Sequence, residues 1–148
     1  NVRNMSFMFD DCKNFNQNLD LWDVSNVTNI IRIFSGCEKF NQPLNTWDMC
    51  NINSIFGIFM NCKNFNQSLS SWDVSNVNNM ILSFQGCNNF NQRLDSWNVS
   101  NVKTMLRMFC DCSKFNQSLN SWDLSNVKTK NMFLNCPINK KNLPKICS

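Results

Sequence analysis

The sequence predicts an α/β fold: a single right-handed solenoid of five to six 25-residue units, each with a short helix and a short parallel strand. Three observations predict it. The same tripeptide returns at an unbroken 25-residue spacing, a stripe of apolar residues precedes it in each unit, and an alternating apolar-polar-apolar segment follows it. A fixed period of this length is typical of solenoids, in which each unit buries its apolar face against its neighbours.

The repeat is regular enough to number positions within a unit, counting from Asn1, Asn26, Asn51, Asn76, Asn101 and Asn126. The sixth unit is one residue short. Three residue types recur at fixed positions and are predicted to form structural columns: Cys12, Cys37, Cys62, Cys87 and Cys112; Asn16, Asn41, Asn66, Asn91 and Asn116; Trp22, Trp47, Trp72, Trp97 and Trp122.

The helix is predicted over the first third of each unit. In the second unit, Val27, Ile30, Ile31, Ile33 and Phe34 fall at the spacing of one helical face, and a Ser-Asn pair precedes them as a candidate N-cap. The residue at position 11 is always Gly, Asn or Asp. These residues tolerate the left-handed conformation that ends helices, so this position is predicted as a C-cap.

The strand is predicted at Trp22-Asp23-Val24 and its copies, because apolar and polar residues alternate there as on a strand with one buried face. A helix-containing crossover between parallel strands should coil right-handed. The Asp23 column is interpreted as capping the following helix or loop rather than binding a cation, since stacked like charges are costly.

The repeated cysteines favour reduced, buried thiols over disulfides. Equivalent residues on adjacent units give no unique pairing, and free Cys is among the residues most often buried. Cys50, Cys110 and Cys147 lie outside this column. For the Asn-Gln pair that begins at Asn16, two interpretations remain: a glycan-binding row of amides, or side chains that hydrogen-bond to the backbone of the next unit. Identity in all five units favours the second.

The unit Asn-Val-x-x-Met-x-x-Met-Phe-x-x-Cys-x-x-Phe-Asn-Gln-x-Leu-x-x-Trp-Asp-Val-Ser resembles the repeat of BspA-like leucine-rich-repeat surface proteins, including repeat lipoproteins of mycoplasmas and Listeria. Related repeats occur in protists and large DNA viruses. The resemblance covers residues 1 to about 136. It implies a leucine-rich-repeat-like solenoid used for surface display, adhesion or protein contact, with no catalytic residues to carry over.

Composition narrows the function further. The chain lacks His and Tyr, has only three Gly, and has no Cys-x-x-Cys, so we expect no enzyme, no metal site and no cofactor. A net charge of +4 from 16% charged residues is too dilute for nucleic-acid binding. No run of about 20 apolar residues exists to span a bilayer.

The two ends are expected to differ. Residues 1–136 form the predicted solenoid, and residues 137–148 break the period with Pro137 and Pro144 and are predicted to cap it. At the other end Met5, Phe7 and Met8 should face outward, so we expect a protein partner or further sequence to cover them. Because the chain begins at an Asn-Val phase of the repeat, we expect it to be part of a longer product.

The first function hypothesis is a non-catalytic structural or protein–protein interaction module. Its candidate contact surface is the apolar column, defined here as Ile31, Phe56, Ile81 and Leu106, although these residues are alternatively core. A second hypothesis is a surface adhesin that binds host protein or glycan through Asn18, Pro43, Ser68, Arg93 and Ser118. A third is a component of a virion or other large assembly. A cell surface or a large assembly, reached through other chains or further sequence, is the favoured location.

Overall fold

Successive 25-residue units form coils that stack in register. The computed structural model describes residues 2–146. The N–H group of Met5 donates to the carbonyl of Asn29 at 2.8 Å, and that of Phe7 donates to Ile31 at 2.9 Å. Bonds with the same offset recur between later coils. The prediction that equivalent residues lie over one another is therefore confirmed.

The predicted fold class is wrong in its secondary structure. Within residues 2–146 the only helix is a three-residue 3-10 helix, Lys140–Asn142, and no β-strand is present. Parallel pairing is limited to isolated bridges: Asn4 with Asn29, Ser54 with Asn79, Asn79 with Thr104, Thr104 with Lys128, and Asp123 with Lys145. The chain is not an α/β solenoid with a helix and a strand in each unit. The handedness argument, which rested on helical crossovers, loses its basis.

Overlapping β-turns replace the predicted helix because the backbone N–H groups alternate between two directions. In the second coil the N–H groups of Ile33, Ser35 and Cys37 donate to carbonyls three residues back along the chain. The N–H groups of Arg32, Phe34 and Gly36 donate to carbonyls of the third coil. In an α-helix every N–H would bond within its own segment. With this alternation, half of these N–H groups instead form hydrogen bonds to the neighbouring coil.

Left-handed backbone at two positions per unit produces this alternation. Position 11 has φ between 57° and 73° in all six units, so the predicted left-handed conformation is confirmed there, although it ends a turn and not a helix. Position 7 is also left-handed, with φ between 53° and 59°: Phe7, Arg32, Gly57, Leu82, Arg107 and Asn131. For residues other than Gly this costs about 1–2 kcal/mol. Packing and hydrogen bonds between coils offset that cost.

The predicted strand and N-cap are also wrong, and a capped turn occupies their place. The Ser25 N–H donates to Oδ1 of Asp23 at 3.0 Å, and the equivalent bond forms at each of the other four units. The interpretation of the Asp23 column as a local cap is confirmed, with a turn as the capped structure. These side chains point to solvent, which limits the repulsion between stacked carboxylates.

The core consists of aromatic columns that run along the stack. Phe9, Phe34, Phe59, Phe84, Phe109 and Phe133 form one column, with neighbouring ring centroids 5.6–5.8 Å apart. The column that begins at Phe15 runs beside it, with centroids 5.8–6.0 Å apart. In the first five coils each ring also contacts a ring of the other column, with centroids 4.0–4.3 Å apart. Burial of these large apolar surfaces is the main favourable term of folding.

The C-terminal tail completes the last coil with a different sequence. The Asn139 N–H donates to Oδ1 of Asn116 at 2.8 Å, and the Asn142 amide donates to the Asn116 carbonyl at 2.8 Å. Lys145 exchanges backbone bonds with Trp122 and Leu124. The tail thus pairs with polar groups of the fifth coil that another full repeat would otherwise satisfy. Residues 147 and 148 of the predicted cap lie outside the described residues.

Two glycines at positive φ should differ in their tolerance of alanine. Gly57→Ala should destabilise the chain by about 1 kcal/mol, because its backbone is left-handed but Arg32, a flexible neighbour, can move. Gly36→Ala should cost about 2–3 kcal/mol, because the new Cβ would also meet the backbone Cα of Asp11 at 3.0 Å. Urea unfolding of both variants measures this difference. Equal costs would contradict the close packing of the Asp11 backbone against Gly36.

Candidate interaction surfaces

The Asn16 column joins coils through its amide oxygens. Oδ1 of Asn66 accepts the backbone N–H of Asn91 and the side-chain amide of Gln92, both at 3.0 Å. The same two bonds connect the other pairs of coils. The oxygens of this column are therefore occupied within the stack, which favours the structural interpretation over a glycan-binding row.

The Cys12 column makes a second set of bonds between coils. The thiol of Cys62 donates to the Phe34 carbonyl at 2.9 Å, and Cys37, Cys87 and Cys112 make equivalent bonds. Burial raises the pKa of the Cys37 thiol to about 12, and it raises the pKa values of Cys62 and Cys87 well above the ordinary range. These thiols are thus protonated donors at neutral pH.

Two cysteines are accessible to solvent. Cys12 and Cys50 are exposed, and the eight cysteines within residues 2–146 are all free. A hydrogen bond with Asp48 is the main cause that raises the pKa of Cys50. Cys110 is buried beside Asp111, and burial raises its pKa. Cys147 lies outside the described part of the chain.

Three indoles of the Trp22 column, those of Trp47, Trp72 and Trp97, also join coils, whereas the buried Nε1 of Trp122 has no partner within residues 2–146. The indole N–H of Trp72 donates to the Leu44 carbonyl at 2.9 Å, and that of Trp97 donates to Leu69 at 3.0 Å. Trp72, Trp97 and Trp122 stack with centroids 6.4–6.5 Å apart. Trp22 is in the first described coil and is exposed there. The repeated polar residues thus connect coils rather than line a binding site.

The apolar column differs from these buried columns. Ile31, Phe56, Ile81 and Leu106 are all half-buried, whereas residues on either side in the same coils, such as Ile55 and Ile58, are fully buried. In three of the four coils a polar side chain two residues earlier orients the turn: Oδ1 of Asn29 accepts from the N–H of Ile31 at 3.1 Å, and Ser54 and Asn79 make the equivalent bond. Oγ1 of Thr104 has no partner within residues 2–146. Sequence reasoning missed this role, although the small polar residues at position 4 were its signal: Asn4, Asn29, Ser54, Asn79 and Thr104.

A depression of about 340 Å³ lies at the C-terminal end of the apolar column. It is lined by Ile81, Leu82, Leu106, Arg107, Lys130 and Asn131. Polar residues replace the apolar ones at both limits of the column, with Ser6 in the first coil and Lys130 in the last. The result is a bounded apolar surface with basic residues at one end.

Polar depressions lie on another side of the stack, around the variable position 18. The larger, of about 450 Å³, is open to solvent and includes Arg93, Asp95 and Lys141. Arg93 and Asp95 form an exposed ion pair at 2.7 Å.

Within residues 2–146 there is no cluster of three or more His, Cys, Asp or Glu side chains that could hold a metal ion. Across the same residues no helix has the length and apolar character that a bilayer crossing requires.

The two ends of the stack expose further apolar side chains. At the first coil Phe7 is 52% and Met8 is 43% exposed, as expected, whereas Met5 is buried, contrary to expectation. At the last coil Leu134 is 47% exposed. Sequence reasoning did not identify Leu134, because its equivalents in other units are mostly polar or small.

Comparison with known proteins identifies a family. The chain matches the family described as "Mycoplasma protein of unknown function, DUF285" over residues 1–82 and again over residues 44–146, and it belongs to that family. The repeats of this family are also known as BspA-like. The leucine-rich-repeat part of the expected resemblance is not supported, because the described units lack the helix and strand it implied. No curated protein and no solved structure matches the chain.

The Asn16 column yields a test that separates acceptor from donor roles. Asn66→Ala should destabilise the chain by roughly 1–3 kcal/mol, because it leaves the Asn91 N–H and the Gln92 amide without their acceptor. Asn66→Asp should cost less, since a carboxylate keeps the acceptor and the Asn66 amide nitrogen donates no bond within residues 2–146. Chemical unfolding at neutral pH compares the two variants. A larger cost for Asp than for Ala would contradict the acceptor role.

The cysteines should divide into two classes in a labelling experiment. At pH 8, a thiol reagent should modify exposed Cys12 and Cys50 quickly, and buried Cys37, Cys62, Cys87 and Cys112 at least about a hundredfold more slowly, because modification requires the coils to separate. Peptide mapping by mass spectrometry identifies each modified residue. Labelling in urea provides the control, in which both classes should react alike.

Proposed function

We propose that this chain is a non-catalytic module that binds another protein through the apolar column. The half-burial of Ile31, Phe56, Ile81 and Leu106 at one position of four successive coils carries the proposal. Membership of a family of unknown function neither adds to nor limits this assignment.

Hydrogen bonds between coils hold the backbone of the apolar column in place. Each residue of the apolar column directly precedes the left-handed residue at position 7. Its carbonyl accepts a backbone N–H from the preceding coil, and the N–H of position 7 donates to the following coil. Four apolar side chains are therefore held in a line without any partner, and little ordering would be needed on binding. Preorganisation of this kind favours affinity because it reduces the entropy lost in the complex.

The depression beside Ile81 and Leu106 provides a place for an anchoring side chain. Its lining is largely apolar, and Arg107 and Lys130 lie at its rim. Interfaces concentrate their binding energy where a large apolar side chain fills such a pocket and polar groups surround it. A partner segment with an apolar residue followed by acidic residues would match this arrangement.

The double variant Phe56→Ser/Ile81→Ser tests the proposal. Because both side chains are half-buried, the cost to folding should be about 1–2 kcal/mol per residue, and the variant should remain folded. Proteins that copurify with the chain from its natural source should be lost. Circular dichroism and thermal unfolding measure folding, and quantitative mass spectrometry measures copurification.

Two controls make the result specific. Phe59→Ser removes a fully buried ring and should cost about 3–5 kcal/mol, which calibrates a core substitution. Asn45→Lys alters an exposed turn away from the apolar column and should retain every partner. Loss of folding in Phe56→Ser/Ile81→Ser comparable to that of Phe59→Ser would show that the column is core. Unchanged partners would show that the column is not the interface.

A further inference from the structure

The apolar column repeats once per coil, so the distance between coils determines which kind of segment can lie along it. Two residues before the column, parallel bridges join Ser54 to Asn79 and Asn79 to Thr104. Backbones paired in this way lie about 4.8 Å apart. In the core, the ring centroids of the Phe9 column are 5.6–5.8 Å apart. The side chains of the apolar column therefore repeat at about 5–6 Å along the stack.

We propose that the apolar column binds an amphipathic α-helix of a partner protein, which lies along the stack with one helical turn against each coil. This inference rests on the proposed function, because it names the kind of segment that the column receives. A helix has a pitch of about 5.4 Å, whereas side chains on one face of a strand repeat at about 6.6 Å. Over the four coils a helix drifts out of register by roughly 1–2 Å and a strand by roughly 2–5 Å.

The length of the column sets the length of the bound helix. Four coils match about four turns, or about 14 residues, with apolar residues near i, i+4, i+7 and i+11. The depression of about 340 Å³ is lined by Ile81 and Leu106 of the column and by Leu82 beside it. A leucine or phenylalanine of the helix would fill this depression, and the neighbouring turns would contact Ile31 and Phe56.

Charge along the apolar column is uneven. At the first coil of the column, Arg32 is already paired with Asp10 at 3.1 Å. At the other end, Arg107 and Lys130 line the depression together with no acidic residue. Neither of these two side chains forms an ion pair within residues 2–146. The partner helix should therefore have carboxylates on the turn that meets Arg107 and Lys130, which fixes its position along the column.

A second copy of this chain does not supply such a helix from the residues that the structure describes. Within residues 2–146 the only helix is the three-residue Lys140–Asn142, which is too short to place a turn on each of four coils. The occupant is therefore expected to be a different protein.

Synthetic peptides test the spacing directly. The first probe is an alanine-rich peptide of about 14 residues with leucines at i, i+4, i+7 and i+11 and glutamates beside the last leucine. The second has the same composition with leucines at alternate positions, as on one face of a strand. By fluorescence anisotropy the first should bind the chain at least about tenfold more tightly, because only its apolar face follows the coil spacing. Equal affinities, or no saturable binding of the first probe, would overturn the proposal.

Variants of the chain locate the binding on the column. Phe56→Ser/Ile81→Ser should weaken binding of the first probe by about tenfold or more, whereas Asn45→Lys, in an exposed turn, should bind as the parent chain does. Ile81→Ala removes less apolar surface and provides the same test if circular dichroism shows the double variant unfolded. Transferred nuclear Overhauser effects should connect residues i and i+3 of the bound probe, as in a helix. An extended bound probe, or undiminished binding to the folded variant, would contradict the inference.

The charge requirement has its own test. A probe with glutamines in place of the glutamates should bind the parent chain about threefold to tenfold more weakly, and high salt should reduce this difference. Arg107→Asn/Lys130→Gln should abolish the difference, and Asn suits the left-handed backbone there, as at Asn131. The matched control Lys13→Gln/Lys39→Gln removes two exposed lysines elsewhere and should retain it. A difference that persists in Arg107→Asn/Lys130→Gln would exclude these residues as the partners of the carboxylates.

The results separate this inference from the proposed function. If copurifying proteins are lost in Phe56→Ser/Ile81→Ser but the probes show no preference for helical spacing, the column binds a segment of another shape, and only the inference fails. If those proteins remain bound, the proposed function fails as well. Dimerisation of the parent chain that Phe56→Ser/Ile81→Ser abolishes, measured by sedimentation velocity, would identify a second copy as the occupant and would also overturn the inference.

Discussion

The structure depends on the division of backbone N–H groups between a coil and its neighbour. One set closes turns three residues back, and the alternate set donates to the next coil. A regular helix would use all of these groups internally and leave nothing to join the units. A regular strand would use none of them within the unit. The alternation allows each short segment to bend tightly and still remain bonded along the stack.

Repeated polar side chains also hydrogen-bond neighbouring coils, in parts of the unit where backbone–backbone bonds do not connect them. The Asn amide oxygens accept from the next coil, while the Cys thiols and Trp indoles donate to carbonyls of the preceding one. The buried members of these columns would be costly without their partners. Because the backbone has the same conformation in successive coils, each coil needs the same side-chain donor or acceptor at the same position. This need explains why the columns consist of identical residues, without any ligand.

Because contacts are mostly between neighbouring coils, the surfaces that remain for function are of two kinds. The side of the stack presents rows of variable residues, among which the apolar column is the one with half-buried hydrophobic side chains in four successive coils. The ends present the groups that internal coils use for stacking. The tail at residues 137–146 pairs with these groups of the fifth coil.

The sequence by itself determined the period, the register and the occupants of the core, because a residue that recurs every 25 positions must meet its own copy if the units stack. It also identified the left-handed backbone at position 11, where every unit has Gly, Asn or Asp. It did not reveal the left-handed backbone at position 7, because Phe7, Arg32 and Leu82 have no intrinsic preference for it. That conformation is stabilised only by neighbouring coils, and it converts an apolar pattern typical of a helix into a series of turns. Tertiary structure therefore decided the secondary structure and the exposure of the apolar column.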